Sequence, residues 1–218
     1  MKQTMNRTAA TLLAAAVLAV GLSACAPLLL GGAAVGGMVV TDRRTSGAQL
    51  EDEGIELRAS NRVRDVLGER VHVNITSFNR QVLLTGEAPT AQARATVEQA
   101  VAGVENVRSV VNDLGVMPHS SLGQRTTDTW ITSQVRASII DAKDLVSSAF
   151  KVVTERNVVY LMGRVTQREA ARATEIAQGV RDVGKVVRVF EIISEEELRR
   201  MSPPSAPANQ GTPVPAGG

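Results

Sequence analysis

Two stretches of the 218-residue chain, "ITSFNRQVLLTG" (Ile75 to Gly86) and "VVTERNVVYLMG" (Val152 to Gly163), share one pattern: an apolar strand, a polar turn, a second apolar strand and a glycine. The glycines stand 77 residues apart, and an alanine-rich helical periodicity follows each of them. It runs through Ala93, Val97, Ala100 and Val101 in the first copy and through Ala173, Ile176, Ala177 and Val180 in the second. Such spacing draws one apolar stripe along each helix. Thr166 and Glu169 have the separation of a capping box, in which hydroxyl and carboxylate satisfy backbone donors that the helix start leaves free. A valine-rich strand closes each copy, "VENVRSVVNDLGV" and "VGKVVRVFEII". The offset has become 79 at Val107 and Val186, so two residues were gained or lost around the helix.

Working outward, each copy opens with another helical pattern: Ile55, Ala59, Val63 and Val66/Leu67 in the first, Ile131, Val135 and Ile139 in the second. The unit is therefore α-β-β-α-β, and the fold class is α+β. Its middle strands pair as an antiparallel hairpin. The strand–helix–strand step that follows is a right-handed crossover and yields a parallel pair. The expected result is a three-stranded mixed sheet with two helices on one face. Each unit has about 65 residues, close to the size at which a single apolar core only just suffices, so packing of the copies on each other would help both. Gly86 and Gly163 are expected as structural turn positions at the strand ends, where positive φ or a close approach of chains favours glycine.

The N-terminal region has another character. Lys2 and Arg7 head an apolar run from Ala9 to Val20, the layout of a secretory signal peptide and too short for a membrane-spanning helix. Small residues follow, up to Cys25, the chain's one cysteine, which has no internal disulfide partner. Leu22-Ser23-Ala24-Cys25 resembles the lipobox of bacterial lipoproteins, in which the thiol is acylated and becomes the first residue. Ala26 is not the aspartate that retains such proteins in the inner membrane, so the resemblance implies the outer membrane, facing the periplasm. "GGAAVGG" (31–37) is not followed by Gly-Lys-Ser/Thr, and fits a tether better than a nucleotide loop. The expected organisation is a signal peptide over 1–24, acylated cysteine and flexible tether over 25–50, a first unit over 51–116, a linker over 117–125, a second unit over 126–195, and a helical end with a disordered tail over 196–218.

Of 24 basic residues two leave with the signal, so 22 face 22 acids and the processed chain is neutral. That removes the argument for nucleic-acid binding, which calls for a strongly basic domain. His72 falls on a strand and His119 in the linker; with Cys25 assigned to lipid they do not make up a metal site of the usual ligand spacing. No nucleophile-elbow, zinc-protease or P-loop pattern occurs. The chain is read as a non-enzyme without metal or cofactor.

The paired units resemble BON domains, the module of osmotically induced periplasmic proteins in bacteria. Lipobox, glycine-rich tether, "TDRRTSGAQLEDE" (Thr41 to Glu53), two such units and "TDTWITSQVRASII" together are similar to the BON-domain lipoproteins of the outer membrane, over roughly residues 20–195. The tail after 201, rich in Pro, Gly, Ala and Ser, departs from that pattern.

Trp130, the single tryptophan, is the residue with the most to decide. With Thr127 or Asp128 as N-cap it falls in the first turn of the second unit's opening helix, beside the core stripe of Ile131, Val135 and Ile139. On its own face lie Ser133, Gln134, Ala137 and Asp141, which are small or polar. Two readings stay open: a tryptophan buried where the units meet, or an interfacial anchor whose neighbours Arg125, Arg136 and Lys143 meet anionic lipid. The resemblance implies the second, with anionic phospholipid bound through the second unit in support of outer-membrane integrity. The competing function is a protein–protein adaptor for outer-membrane assembly, cell-division or cell-wall proteins.

Overall fold

The computed structural model describes residues 42–201. The signal peptide, Cys25, the glycine-rich segment and the residues after Met201 lie outside the described residues. The first unit runs α1 (Ser46–Leu67), a 3-10 turn (Gly68–Arg70), β1 (His72–Phe78), β2 (Gln81–Ala88), α2 (Ala91–Ala102), β3 (Ser109–Asn112) and β4 (Gly115–Val116). The second runs α3 (Leu122–Asp141), a 3-10 turn (Ser147–Ala149), β5 (Phe150–Glu155), β6 (Val158–Thr166), α4 (Gln167–Gln178), β7 (Lys185–Ile193) and α5 (Glu195–Met201). β1 and β5 pair antiparallel with β2 and β6, and β3 and β7 add in parallel on their far side. The expected order of elements is present in both copies.

The central strands carry the packing. Along β2, Val82 and Leu84 join Ile55, Ala59 and Val63 of α1 and Val97 and Val101 of α2 in one core. Along β6, Val159 and Leu161 do the same with Ile131, Val135 and Ile139 of α3 and Ala173 and Ala177 of α4. Successive strand residues point to opposite faces, so Leu83, Tyr160 and Met162 face away from the helices. They meet in a further cluster with Phe78 and Val189, which lies between the two sheets. Burial on both faces is why "VLL" and "VVYLM" are unbroken apolar runs rather than alternating ones. Tyr160 carries its hydroxyl to Asp113 across this seam at 2.9 Å.

The first sheet differs from the expected three strands. β3 and β4 both run parallel to β2 in one register, Gln81 opposite Ser109 and Ala88 opposite Val116, with Asp113 and Leu114 between them. The amide of Leu114 donates to Asn112 Oδ1 at 3.2 Å, while that of Asp113 still donates to the carbonyl of Leu84 at 3.0 Å. The third strand is thus split in two, while its counterpart β7 is continuous.

Each hairpin turns through two residues of positive φ, Asn79 and Arg80 at 50° and 66°, Arg156 and Asn157 at 53° and 60°. Positive φ at both central positions is the type I′ geometry, whose twist matches that of paired strands. A buried aspartate from each unit's first helix holds each turn. Asp52 accepts the amides of Asn79 and Arg80 at 2.7 and 2.8 Å, and Asp128 accepts those of Arg156 and Asn157, both at 2.9 Å.

The glycines need correction. Gly86 and Gly163 are paired strand residues, opposite Val73 and Phe150, and not turns. Gly86 has φ of 109°, whereas Gly163 is not among the positive-φ residues. Their shared constraint is space: a Cβ on Gly86 would run into the carbonyl oxygen of His72, and one on Gly163 into that of Ala149. The partner strand's backbone passes too close for a side chain.

The boundaries also shift. Residues 42–50, expected as the end of the tether, include Thr45, whose hydroxyl caps α1, and the first turn of that helix. Arg43 forms a two-pronged ion pair with Glu169 at 2.7 and 2.8 Å and donates to the carbonyl of Arg164 at 2.9 Å. Arg44 pairs with Asp42 and Asp52, both at 2.8 Å, and its guanidinium lies 4.2 Å above the Phe78 ring. Glu169 closes the expected capping box with Thr166 as well. Burial acts to raise the Glu169 carboxyl, but the bonds from Arg43 and Thr166 outweigh it and hold the group below the usual glutamate range.

Leu83→Ala removes contacts that both sheets use, and should cost about 2–5 kcal/mol. Calorimetry is expected to give one cooperative transition at lower temperature, whereas two separated transitions would mean that the units melt independently. Gly86→Ala and Gly163→Ala should each cost about 1–3 kcal/mol, as overpacking does; denaturant melting with an unchanged midpoint would contradict the close approach.

A candidate membrane-facing helix

Helix α3 begins earlier than expected. Its cap is Ser121, whose Oγ accepts the amide of Gln124 at 3.2 Å, and neither Thr127 nor Asp128. Residues 117–125, expected as linker, therefore contribute its first turn. The hydroxyl of Thr127, which suggested a later start, bonds within the helix instead, to the carbonyl of Gly123 at 3.1 Å, as do its neighbours Thr126 to Leu122 at 3.0 Å and Thr129 to Arg125 at 2.9 Å. Such back-bonding satisfies the side chain without ending the helix. Trp130 is thus the ninth helical residue.

Asp128, Ile131, Val135 and Ile139 face the core. Trp130 is 61% exposed, which overturns burial between the units; Leu122 and Ile140 on the same helix are 81% and 66% exposed. At about 100° per residue, Leu122 and Ile140 share one line about 80° from Trp130. The three form a broken apolar ridge along the helix's outer side, with Thr126, Ser133 and Ala137 set between them. Arg136 and Arg125 lie beyond Leu122 and Ile140, at about 120° and 140° from Trp130. The arginines therefore flank the ridge and do not share the tryptophan's face. Arg136 donates to the carbonyl of Val152 at 3.3 Å, and Arg125 to Ser120 Oγ at 3.3 Å. Lys143 is exposed just past the helix end. Beside the ridge, Arg136, Ile139, Ile140, Phe150 and Lys151 line an apolar cleft of about 210 Å³. Lys151 also pairs with Glu56 of α1 at 2.9 Å.

At the start of α3 the surface is polar and belongs to the seam. Glu87 accepts from Arg156 at 2.6 and 2.9 Å, and its other oxygen is 2.9 Å from His72 Nδ1. Burial acts to raise Glu87, but the bonds from His72 and Arg156 outweigh it and the carboxyl lies below the ordinary range. Glu155, by contrast, is pushed up by burial, with Glu87 and Asp128 adding to the effect and a 2.8 Å bond from Asn74 opposing it. Asp52, Asp128, Arg43, Arg44 and the His72–Glu87–Arg156 chain were not singled out as functional by sequence reasoning. One signal for the aspartates was present: Asp52 and Asp128 are 76 residues apart, the same offset as Ile55 to Ile131 and Ala59 to Val135.

The BON domain family model matches residues 56–118 and 127–194, and the chain belongs to the BON-domain family. It is similar to the outer membrane lipoprotein DolP of Haemophilus influenzae, 36% identical over 174 residues, covering 79% of this chain and 90% of that protein. It is also similar to a 21 kDa hemolysin of Actinobacillus pleuropneumoniae, 33% identical over 70% of this chain and 79% of the relative. A solved structure of CdsD, a structural protein of the type III secretion system of Chlamydia trachomatis, aligns at a TM-score of 0.28 and 10% identity over 65% of this chain and 96% of its own. That likeness is too loose to bear on fold or function. Among the described residues no helix is long and apolar enough to cross a membrane.

The raised Glu155 sets a pH test. Because the fold favours its protonated form, the associated stability is present at low pH and lost as pH rises through the raised value. Glu155→Gln, which stays neutral, should melt higher than the parent at about pH 8 and converge with it towards about pH 4. A gap that is constant across that range would rule out the titration of Glu155 as its source.

Proposed function

We propose that this chain is an outer-membrane lipoprotein, acylated at Cys25 and facing the periplasm, that binds anionic phospholipid through α3 of its second unit and helps to maintain the outer-membrane barrier. The observation that carries the reading is the exposed ridge of Trp130, Leu122 and Ile140 with Arg125 and Arg136 along its flank. A helix that lies in a membrane interface sets apolar side chains into the headgroup boundary and keeps cations beside them. Tryptophan favours that depth, because its ring is apolar and its N–H stays near water. Each cation near an anionic surface adds about 1 kcal/mol, a contribution that salt screens. The lipobox-like sequence and the similarity to a named outer membrane lipoprotein support the address. With the acyl chains holding the protein at the membrane, lipid contact by the folded part becomes an intramolecular event for which modest affinity suffices. Its role is to orient the protein and to sense lipid composition.

The test uses full-length Cys25→Ser protein, made without its signal peptide, and vesicles with and without phosphatidylglycerol. Flotation with the anionic vesicles that weakens as salt rises is expected. Trp130→Glu should abolish flotation and shift the melting temperature little, since substitutions at exposed positions usually stay within about 0.5 kcal/mol. Parent protein that remains in the soluble fraction would reject lipid binding and favour an adaptor that touches the membrane only through its acyl chains.

A further inference from the structure

His72 and His119 are 47 residues apart in the sequence and are the chain's two histidines. In the fold their ring centroids are 6.0 Å apart, with the planes inclined at 42°. Both rings line a cavity of about 320 Å³ that also borders Arg64 and Glu69. The fully buried carboxylate of Glu87, which does not line that cavity, lies 2.9 Å from His72 Nδ1 and is fixed in turn by Arg156. A carboxylate there keeps the proton of a neutral imidazole on Nδ1 and leaves the lone pair on Nε2. Metal-binding histidines are oriented in this way, one ring nitrogen given to a carboxylate and the other to the cation.

We propose that His72 and His119 form a bis-imidazole site for a divalent cation of the Ni²⁺, Cu²⁺ and Zn²⁺ group, the ions that imidazole suits best. Two imidazoles on one tetrahedral ion, with metal–nitrogen distances of about 2.0–2.1 Å, have centroids about 5 Å apart. Closing 6.0 Å to that value takes a small side-chain rotation. His119 has room for it: its side chain is exposed, while the linker backbone beside it is held by Arg156, which donates to the carbonyl of Pro118 at 2.9 Å. Among the described residues no group of three His, Cys, Asp or Glu side chains is placed to hold a metal ion. Water therefore completes the coordination, and the bound ion exchanges readily. Occupancy ties the linker to β1 and so braces the junction between the two units.

The probe is Cu²⁺, added to full-length Cys25→Ser protein made without its signal peptide, which removes the one thiol. One equivalent should bind, and electron paramagnetic resonance should show hyperfine coupling to two imidazole nitrogens. His119→Gln should lose at least tenfold in affinity and keep one coupled nitrogen, with its melting temperature close to the parent's. Because Glu87→Gln would also break the Arg156 pair, His72→Gln serves as the second variant and should lower affinity comparably. Copper bound with parental affinity by a variant carrying both His72→Gln and His119→Gln would place the ion elsewhere on the chain and overturn the proposal, as would a parent spectrum without imidazole nitrogen.

Discussion

The contact between the two sheets is the constraint from which most of the molecule follows. Strands β2 and β6 are each buried by helices on one face and by the other unit on the opposite face, so every apolar position along them has a packing role. Neither unit alone would cover Leu83 or Met162. The polar groups at the rim of this seam are paired across it: Asn74 with Glu155, Arg156 with Glu87, Asn79 and Arg108 with Glu191, Lys151 with Glu56. Desolvated carboxylates are tolerated because each has a donor in place; a buried charge without one costs several kcal/mol. The seam thus joins two marginally sized modules into one body.

The architecture was legible because the repeat doubles every signal. The hairpin pattern, the capping box of Thr166 and Glu169 and the apolar stripes of four helices each state a local preference, and local preferences survive into the fold. What was not legible depended on distance. A strand apolar on both faces does not say what covers its second face. The start of α3 was misplaced because hydroxyls that can cap a helix can also bond back into it, and Thr127 does the latter. Equivalence of Gly86 and Gly163 was legible, and of the two reasons that the sequence offered, the close approach of a neighbouring backbone applies at both while positive φ applies only at Gly86; which strand comes close was not legible. The meeting of His72 and His119 was likewise hidden, since one lies on a strand and the other on a linker.

For the candidate site, exposure was the missing quantity. Trp130 stood at the edge of a core stripe in sequence, and its 61% exposure decides which side of that edge it occupies. The core-facing row of α3 is anchored by Asp128, which grips the hairpin turn, so the outer row is presented on a helix that cannot roll. The ridge of Leu122, Trp130 and Ile140 is therefore displayed by a rigid element, and its arginines are placed by the same helix.

The arginine pair at the start of the described chain divides its attention. Arg44 grips Asp52 and Phe78 in the first unit, and Arg43 grips Glu169 and the Arg164 carbonyl in the second. Arg164 in turn reaches Glu197 of α5 at 2.8 Å, so the last helix is secured to the same spot. In mechanical terms this is a yoke. A pull applied at Arg43 and Arg44 from the N-terminal side is shared between both units at once, instead of travelling through α1 and the seam, and presses the two modules to move together rather than prising them apart.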